Sequence, residues 1–526
     1  MNTGEFLTVT AAVVPDRIAI VFEGHRYSYA EVADRSNRLA NALLTLGVHK
    51  GDRVSFIDVN SNQCMESYFA CAKMGAIYVP LNFRARAEEF AFMLNDSGAS
   101  VVFVGDRYVP IIDGIRGELK GISTYISLGK PAKGMSNYED LISKASADEV
   151  FTDIDESDLT ILMFTAGTTG VPKAVMLAHQ NFSDYVTANV TPVDTDVEEK
   201  NILTVPMYHI AGIQAVMSAV YGGRTLVIQR QFDANDWMRL VQTEKVDRAM
   251  MVPTMLKQLM DGPDFRKYDL SSLKVITYGA APMPLIVIEQ AIREFPNTRF
   301  INAFGQTESA ATITMLGPED HVIDGTPKER EIKLKRLGSI GKPLPDVEVR
   351  VLDEDGNESP RGVVGEIVAR GGRVMKGYWK QEDATAAAID KKGYLHTGDL
   401  GYQDDGGYIF LAGRAKDIIK RGGEMISPEE IENVLLTHPC VEDVAIIGVS
   451  DTVWGERVRA IIVPKAGQTI DPNELMELCR QKLASFKKPE SVVLTDEIPR
   501  NQLGKILKRV LREKYSEPIV DAVPPR

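Results

Sequence analysis

The chain predicts an α/β protein built on parallel sheets and divided into more than one domain. Three observations carry that reading. Short apolar runs at residues 53–59, 101–104, 225–228, 274–278 and 299–303 have strand length, and runs that are apolar throughout suit strands covered on both faces. Between and around them, residues 30–46, 237–245, 255–261 and 285–294 repeat apolar side chains at helical spacing. Strand–helix alternation of this kind is the mark of a parallel sheet. Finally, 526 residues exceed what one core holds, since cores stop growing near roughly 250–300 residues.

Composition narrows the class. A hydrophobic share of 44% with 25% charged residues is that of an ordinary globular chain. The formal net charge of −13 argues against a general nucleic-acid binder, so anionic ligands must be held by local basic groups. Cys64, Cys71, Cys440 and Cys479 show neither a CxxC pair nor metal-type spacing. They read as reduced thiols in a reducing, cytoplasmic compartment. The start, Met1-Asn2-Thr3-Gly4-Glu5, lacks the basic and apolar regions of a signal peptide. The end, Val523-Pro524-Pro525-Arg526, carries no retention or lipidation signal. The most membrane-like stretch, residues 202–221, is interrupted by Pro206, His209, Gly212 and Gln214. A buried strand, loop and helix is expected there, and no transmembrane segment.

The C-terminal part has a different pattern. Residues 318–335 are dense in charge and carry Gly325 and Pro327, which suggests a surface excursion. After them, residues 347–352, 365–370 and 408–412 read as antiparallel strands between Asp-Gly and Gly-Gly turns. A domain boundary is expected near Gly413-Arg414-Ala415-Lys416, giving domains 1–413 and 414–526. The second domain reads as α+β. Ser427-Pro428-Glu429-Glu430 is a capping-box pattern with proline at the first helical position, opening a helix over 429–436. The tail is basic, with Lys482, Lys487, Lys488, Lys505, Lys508, Arg509, Arg512 and Lys514.

The chemistry begins at Thr165-Ala166-Gly167-Thr168-Thr169-Gly170-Val171-Pro172-Lys173. This loop follows the apolar run 159–164, expected as a strand of a parallel sheet. A Gly- and Thr-rich loop at a strand's C-terminal end offers N–H groups, hydroxyls and an ammonium to a polyphosphate. It is not a Walker-A loop, because Pro172 precedes Lys173 and Ala174 stands where the metal-binding hydroxyl belongs. No G-x-G-x-x-G follows a strand nearby. Alone, the loop reads equally well as a plain turn.

Five further segments follow in order: Tyr278-Gly279-Ala280-Ala281-Pro282, Asn302-Ala303-Phe304-Gly305-Gln306-Thr307-Glu308, His396-Thr397-Gly398-Asp399-Leu400, Gly413-Arg414-Ala415-Lys416-Asp417 and Pro499-Arg500-Asn501-Gln502-Leu503-Gly504-Lys505-Ile506-Leu507. With the loop, and over the whole chain, they resemble the core motifs of the adenylate-forming superfamily. That family holds acyl-CoA synthetases, peptide-synthetase adenylation domains and firefly-type luciferases. The resemblance implies a large N-terminal domain with two doubly wound αβαβα sheets plus a small distorted β-barrel, and a small mobile α+β C-terminal domain. It implies ATP, Mg²⁺ and CoA as the molecules bound. Acyl adenylation puts a carboxylate oxygen in line with the α-phosphate of ATP. Its site needs donors around the phosphates, a carboxylate for the metal and a cation near the bridging oxygen.

By the resemblance, Thr165, Ala166, Gly167, Thr168, Thr169, Gly170 and Lys173 wrap the β- and γ-phosphates. Glu308 is similar to the Mg²⁺ ligand, and Thr307 to the residue that hydrogen-bonds the α-phosphate. Gly279, Ala280 and Ala281, with Asn302, Ala303, Phe304, Gly305 and Gln306, enclose the adenine. Asp399 resembles the acceptor for the ribose diol, and Arg414 assists at the ribose and phosphate. Lys505 resembles the catalytic lysine that bridges substrate carboxylate and α-phosphate. Lys416 matches the hinge about which the small domain swings. Gly422, Gly423 and Glu424 then replace Lys505, and a glycine pair lets backbone approach the pantetheine thiol. Taken singly, Asp399 reads as a turn residue and Lys505 as a solvated tail lysine. For the basic tail, a plain helix and a seat for CoA's 3′-phosphate both stay open.

The chain departs from the family pattern at four places. Ala166 stands where serine is usual, Ala174 where glycine is, Phe304 where tyrosine is common, and Tyr278 where glycine is common. Ala166 loses a hydroxyl donor; Tyr278 is expected to narrow the acyl pocket. None removes an essential charge, so an active enzyme is expected.

Pro206-Met207-Tyr208-His209-Ile210-Ala211-Gly212 resembles the motif beside the acyl site. The resemblance implies an acyl pocket at Tyr208, His209, Gly212, Ile213, Tyr278, Gly279 and Ala311. It makes His209 the gate for the carboxylate, alongside Lys505, Thr307 and Glu308 as catalytic residues; a packed core histidine is the other reading. Amino-acid-activating domains place an Asp in this segment to bind the α-ammonium, and none occurs here. Residues 213–220 and 309–315 hold no Lys or Arg, so a second substrate carboxylate would lack a partner. The expectation is an AMP-forming acid:CoA ligase for a hydrophobic monocarboxylic acid, whether fatty, alicyclic or aromatic. Two alternatives stand beside it: a stand-alone ligase that loads a carrier protein, and a catalytically silent adenylate-binding homologue. A homodimer also stays open.

Overall fold

The computed structural model describes residues 1–165, 172–422, 424–501 and 504–519. Two large sheets make up the N-terminal part. In the first, of nine strands, Arg299–Gln306, Val275–Gly279, Arg248–Met251, Lys200–Leu203, Thr225–Ile228 and Ile18–Phe22 run parallel and side by side. Antiparallel strands close its edges, Ala311–Leu316 with Lys342–Pro343 on one side and His25–Ser28 on the other. In the second, of eight strands, Leu159–Thr165, Ile77–Pro80, Arg53–Ile57, Val101–Val104, Thr124–Ser127 and Ser136–Asn137 are parallel. Leu159–Thr165 is parallel to one neighbour only. Its other neighbour, Lys173–Ala178, is antiparallel and is followed outward by the short strand Gly377–Tyr378.

Helices cover these sheets for reasons written in the chain. Ser28 accepts from the backbone of Glu31 at 3.2 Å while the Glu31 carboxylate accepts from Ser28 N at 2.7 Å. This reciprocal cap starts helix Tyr29–Thr45, which buries Val32, Leu39 and Leu43. The largest core joins that helix to side chains of both sheets, including Phe56, Tyr78, Met163, Val175 and Leu203. Each such side chain contributes roughly 1.5–3 kcal/mol on burial. Residues 202–221 form strand Lys200–Leu203 and helix Ile210–Tyr221, and no described helix is long and apolar enough to cross a membrane.

The third sheet is antiparallel: Glu348–Leu352, Gly365–Arg370, Leu395–Gln403 and Ile409–Arg414. It stands where the resemblance implies a small barrel. The charged stretch before it folds as a 3-10 turn, Pro318–His321, and a capped helix, Pro327–Leu337. A fourth sheet follows Arg414. It orders Glu424–Ile426, Ile419–Arg421, Gly455–Pro464 and Val441–Asp451, with Ser491–Leu494 parallel to Gly455–Pro464. Its core of Ile426, Ile431, Val444, Ile446 and Val458 is separate from the others.

One local expectation fails in this part. Helix Pro428–Leu435 does begin with proline, but the Ser427 side chain makes no capping bond. Glu430 pairs with Lys487 at 2.7 Å instead. Glu429 turns inward against Gly413, and burial pushes its carboxyl up to about 7. Packing of this helix against strand Ile409–Arg414 overrides the local pattern.

Candidate active site

Parallel sheets present ligand sites at the C-terminal ends of their strands. Val275–Gly279, Arg299–Gln306, Lys200–Leu203 and Leu159–Thr165 all end at motifs named above. The first two need glycine because backbone approaches backbone. A Cβ on Gly279 would lie 2.2 Å from the Ala303 carbonyl oxygen, and one on Gly305 only 1.4 Å from that of Ala311. A register shift between Phe304 and Gly305 marks the same crowding. Beyond Gln306 the chain makes a 3-10 turn, Thr307–Ser309, closed by Ser309 Oγ, which accepts from Gln306 N at 3.1 Å. Three alanines here hold left-handed backbone: Ala280 (φ +65°), Ala310 (φ +47°) and Ala311 (φ +88°). Asn302 Nδ2 donates to Ser339 O at 3.3 Å, and Phe304 packs against the cluster of Ile340, Val351, Ile367 and Ile409.

Tyr278 lies on the same strand end as Gly279. Side chains alternate along a strand, and Tyr278 points away from the face of Thr277 and Gly279. It is fully buried in the core beside His321, with Tyr278 Oη 2.9 Å from His321 Nε2.

Glu308 sits in the turn and is held from two directions. Met375 N donates to its backbone carbonyl at 2.9 Å, and Tyr378 Oη donates to Oε1 at 3.0 Å. The ring of Tyr378 also carries Lys173, whose Nζ lies 4.9 Å from its centroid. Burial and the neighbouring Glu308 carboxylate push the Tyr378 phenol up, so it remains a donor. Nothing in the sequence singled out Tyr378. No cluster of three or more His, Cys, Asp or Glu forms a metal cage among the described residues. A Mg²⁺ ion carried on a polyphosphate needs only one or two protein carboxylates, and Glu308 fits that requirement.

The second charged group lies across strands Leu395–Gln403 and Ile409–Arg414, where Asp399 pairs with Arg414. Arg414 Nε is 2.6 Å from Asp399 Oδ1, and Asp399 is only 6% exposed. Burial raises its carboxyl, opposed by Arg414 and Lys505. The turn before it is fixed by Glu366, which accepts from Gly398 N at 3.0 Å and lies 2.8 Å from His396 Nδ1. Lys505, on the part of the chain that holds the last sheet, lies near enough to this pair to feel its charges. Burial, helped by the nearby Arg414 and Lys416 and opposed by Asp399 and Asp417, brings its ammonium down to about 8. The docking that brings it here is visible. A Cβ on Gly504 would lie 2.5 Å from Thr254 Oγ1, and Lys257 meets Glu442 at 2.7 Å. Lys416 lies exposed in the turn after Arg414, where Ala415 N donates to Gly398 O at 3.0 Å.

At the strand end before helix Ile210–Tyr221, Asn60 ties the two large sheets together. Its amide donates to Val205 O (3.2 Å) and Gln229 O (3.3 Å) and accepts from Met207 N (2.9 Å). That clamp sets Tyr208 and His209, whose rings are 4.2 Å apart. His209 Nε2 and Tyr208 Oη are buried with no hydrogen-bond partner among the described residues. Burial brings His209 down to about 4, so the ring is neutral. Gly212 is required by packing, since a Cβ would meet the Pro206 carbonyl oxygen at 2.3 Å, and Ile213 is fully buried in the main core.

Gly422 (φ +58°) lies against Trp454, and Glu424 is exposed. Thr165 pairs with Lys173 across the strands, its Oγ1 3.4 Å from Lys173 O. Ala166, Gly167, Thr168, Thr169, Gly170 and Gly423 lie outside the described residues.

The AMP-binding enzyme family matches residues 7–379, and the AMP-binding enzyme C-terminal domain matches residues 430–505. Indoleacetate–CoA ligase of Aromatoleum aromaticum is 33% identical over 516 residues, covering 98% of each chain. A long-chain-fatty-acid–CoA ligase of Mycobacterium tuberculosis is 34% identical over 517 residues, 98% of this chain and 99% of that one. The crystal structure of ATP-bound MatB from Rhodopseudomonas palustris superposes with a TM-score of 0.86 at 29% identity, covering 98% and 99%. The chain belongs to the AMP-binding enzyme family, within its class of AMP-forming acid–CoA ligases.

Proposed function

We propose that the protein activates a hydrophobic monocarboxylic acid with ATP and passes the acyl group to CoA. The observation that carries this is the convergence of Lys505 on Asp399 and Arg414 from a separate domain. A carboxylate oxygen of the acid attacks the α-phosphorus; the bond to the bridging oxygen breaks and pyrophosphate leaves. The Lys505 ammonium spans the two charges that must meet, and partial burial strengthens its pull. Asp399 accepts from the ribose hydroxyls, and Arg414 orients Asp399. Thr307 hydrogen-bonds the α-phosphate, and Glu308 would hold Mg²⁺, which would neutralise polyphosphate charge. Residues 165–173 receive the leaving pyrophosphate. In the second step the CoA thiol attacks the acyl carbonyl and AMP departs. For that step the small domain turns about Lys416, and Gly422–Glu424 take the place of Lys505.

The acid end supports the substrate class. His209 is neutral and lacks a counter-charge, and residues 213–220 and 309–315 hold no Lys or Arg. By their names, the two relatives above act on an indole acid and a long-chain fatty acid, both single carboxylates with apolar bodies. The four free cysteines support a reducing, cytoplasmic setting. The test is pyrophosphate release with a panel of fatty, alicyclic and aromatic acids, with and without CoA. Acid-dependent release with thioester formed only when CoA is present is expected. Release without any CoA thioester moves the acceptor to a carrier protein, and no release with any acid defeats the reading.

A further inference from the structure

We propose that Tyr378 is a positioning residue that couples Lys173 to Glu308, its hydroxyl choosing the carboxylate oxygen left for the cation and its ring face seating the ammonium. This rests on the reading of Glu308 as the metal ligand and Lys173 as a phosphate contact. The geometry is specific. Tyr378 Oη takes Glu308 Oε1 at 3.0 Å. Among the described residues Oε2 has no such partner, so it remains for a cation. A carboxylate held by one oxygen presents the other in a single direction, which suits the strict octahedral demand of Mg²⁺.

The other face of the same side chain meets Lys173. Its Nζ lies 4.9 Å from the ring centroid, at cation–π distance. The backbone enforces the pairing. Tyr378 lies on strand Gly377–Tyr378, which is hydrogen-bonded to strand Lys173–Ala178 with Tyr378 opposite Val175. Trp379 N donates to Ala174 O at 2.8 Å. The far side of the segment is anchored too, with Met375 N on Glu308 O at 2.9 Å and Tyr378 N on Thr385 Oγ1 at 2.9 Å. One short segment therefore fixes both the strand that bears Lys173 and the turn that bears Glu308. A phosphate drawing on Lys173 and a cation drawing on Glu308 act on the same ring.

The test uses the full-length protein, ATP and Mg²⁺, and needs no acid substrate. The ATP-induced rise in melting temperature is followed as Mg²⁺ is titrated. Tyr378→Phe keeps the ring and removes the hydroxyl. Its Mg²⁺ midpoint is expected to rise about ten-fold, the scale of one lost hydrogen bond to a charged group, while the shift at saturating Mg²⁺ is kept. Tyr378→Leu also removes the ring face and is expected to lose part of the shift even at saturating Mg²⁺. A Tyr378→Phe midpoint equal to wild type, with a matching unliganded melting curve, overturns the proposal. A wild-type protein with no Mg²⁺-dependent ATP shift at all overturns the underlying reading of the site instead.

Discussion

Around Asp399 the protein buries charges together; around His209 it buries a base alone. Both places are desolvated, but with opposite results. Asp399 loses water beside the cations Arg414 and Lys505. The Asp399 and Asp417 carboxylates offset part of what burial, Arg414 and Lys416 cost the Lys505 ammonium, which comes down only to about 8 and survives near neutral pH. His209 loses water with no counter-charge beside it among the described residues and is neutral, down to about 4. Desolvation alone disfavours charge; desolvation beside a partner preserves it. The first arrangement suits a polyphosphate and a carboxylate forced together. The second suits the apolar body of an acid.

The strongest way to break this contrast is at Lys505. Lys505→Ala is expected to lower adenylation by about a thousand-fold or more, the scale of a cation at a phosphoryl-transfer centre. Attack of CoA on preformed acyl-adenylate is expected to be spared. Assays of the two half-reactions decide it, and equal loss of both contradicts a lysine used in one step only. The pH dependence sharpens the same point. Because the charged form of Lys505 is lost above about 8, acid-dependent ATP–pyrophosphate exchange should fall as pH rises through that value. Lys505→Arg stays charged, and should carry the falling limb to higher pH.

The apolar end gives a smaller effect. His209→Ala is expected to raise the KM for the acid roughly ten-fold, the scale of a lost contact in an apolar pocket, with little change in kcat. Since His209 is neutral throughout, the acid KM should show no inflection near pH 6.5, the ordinary histidine value. Such an inflection, absent from His209→Ala, would show that the ring titrates and that the comparison is drawn wrongly. Smallest is Ala166→Ser, which restores one hydroxyl to the loop. It is expected to lower the KM for ATP by up to about ten-fold; unchanged kinetics would mean that backbone donors suffice.

The sequence disclosed these regions unequally. Residues 101–104 and 225–228 read as strands because four consecutive apolar or β-branched residues have little other use, and both are strands in the structure. The motifs at strand ends were legible because glycine is forced there, as at Gly279 and Gly305. The burial of Tyr278 against His321 was not legible, although strand alternation sets it opposite Gly279. Ser427 was read as a cap from local pattern, which carries no knowledge of the Gly413 strand that draws Glu429 inward. Tyr378 and Asn60 were missed for a deeper reason. A two-residue strand has no periodicity, and a clamp between sheets is a property of contacts between residues more than a hundred positions apart.

Ala280, Ala310 and Ala311 have a consequence for how such a protein drifts. Elsewhere, replacing alanine with glycine loosens the unfolded chain and lowers stability, by about 0.4–1 kcal/mol. At these three positions the left-handed backbone costs alanine about 1–3 kcal/mol. At Ala280 and Ala311, whose methyl groups are not fully buried, the sign therefore reverses and glycine becomes the more durable residue, whereas Ala310 also holds its methyl in the core. A lineage selected only for heat tolerance would be expected to lose the methyl groups of Ala280 and Ala311 one after another. At such positions, selection for endurance and selection for stiffness ask for different amino acids.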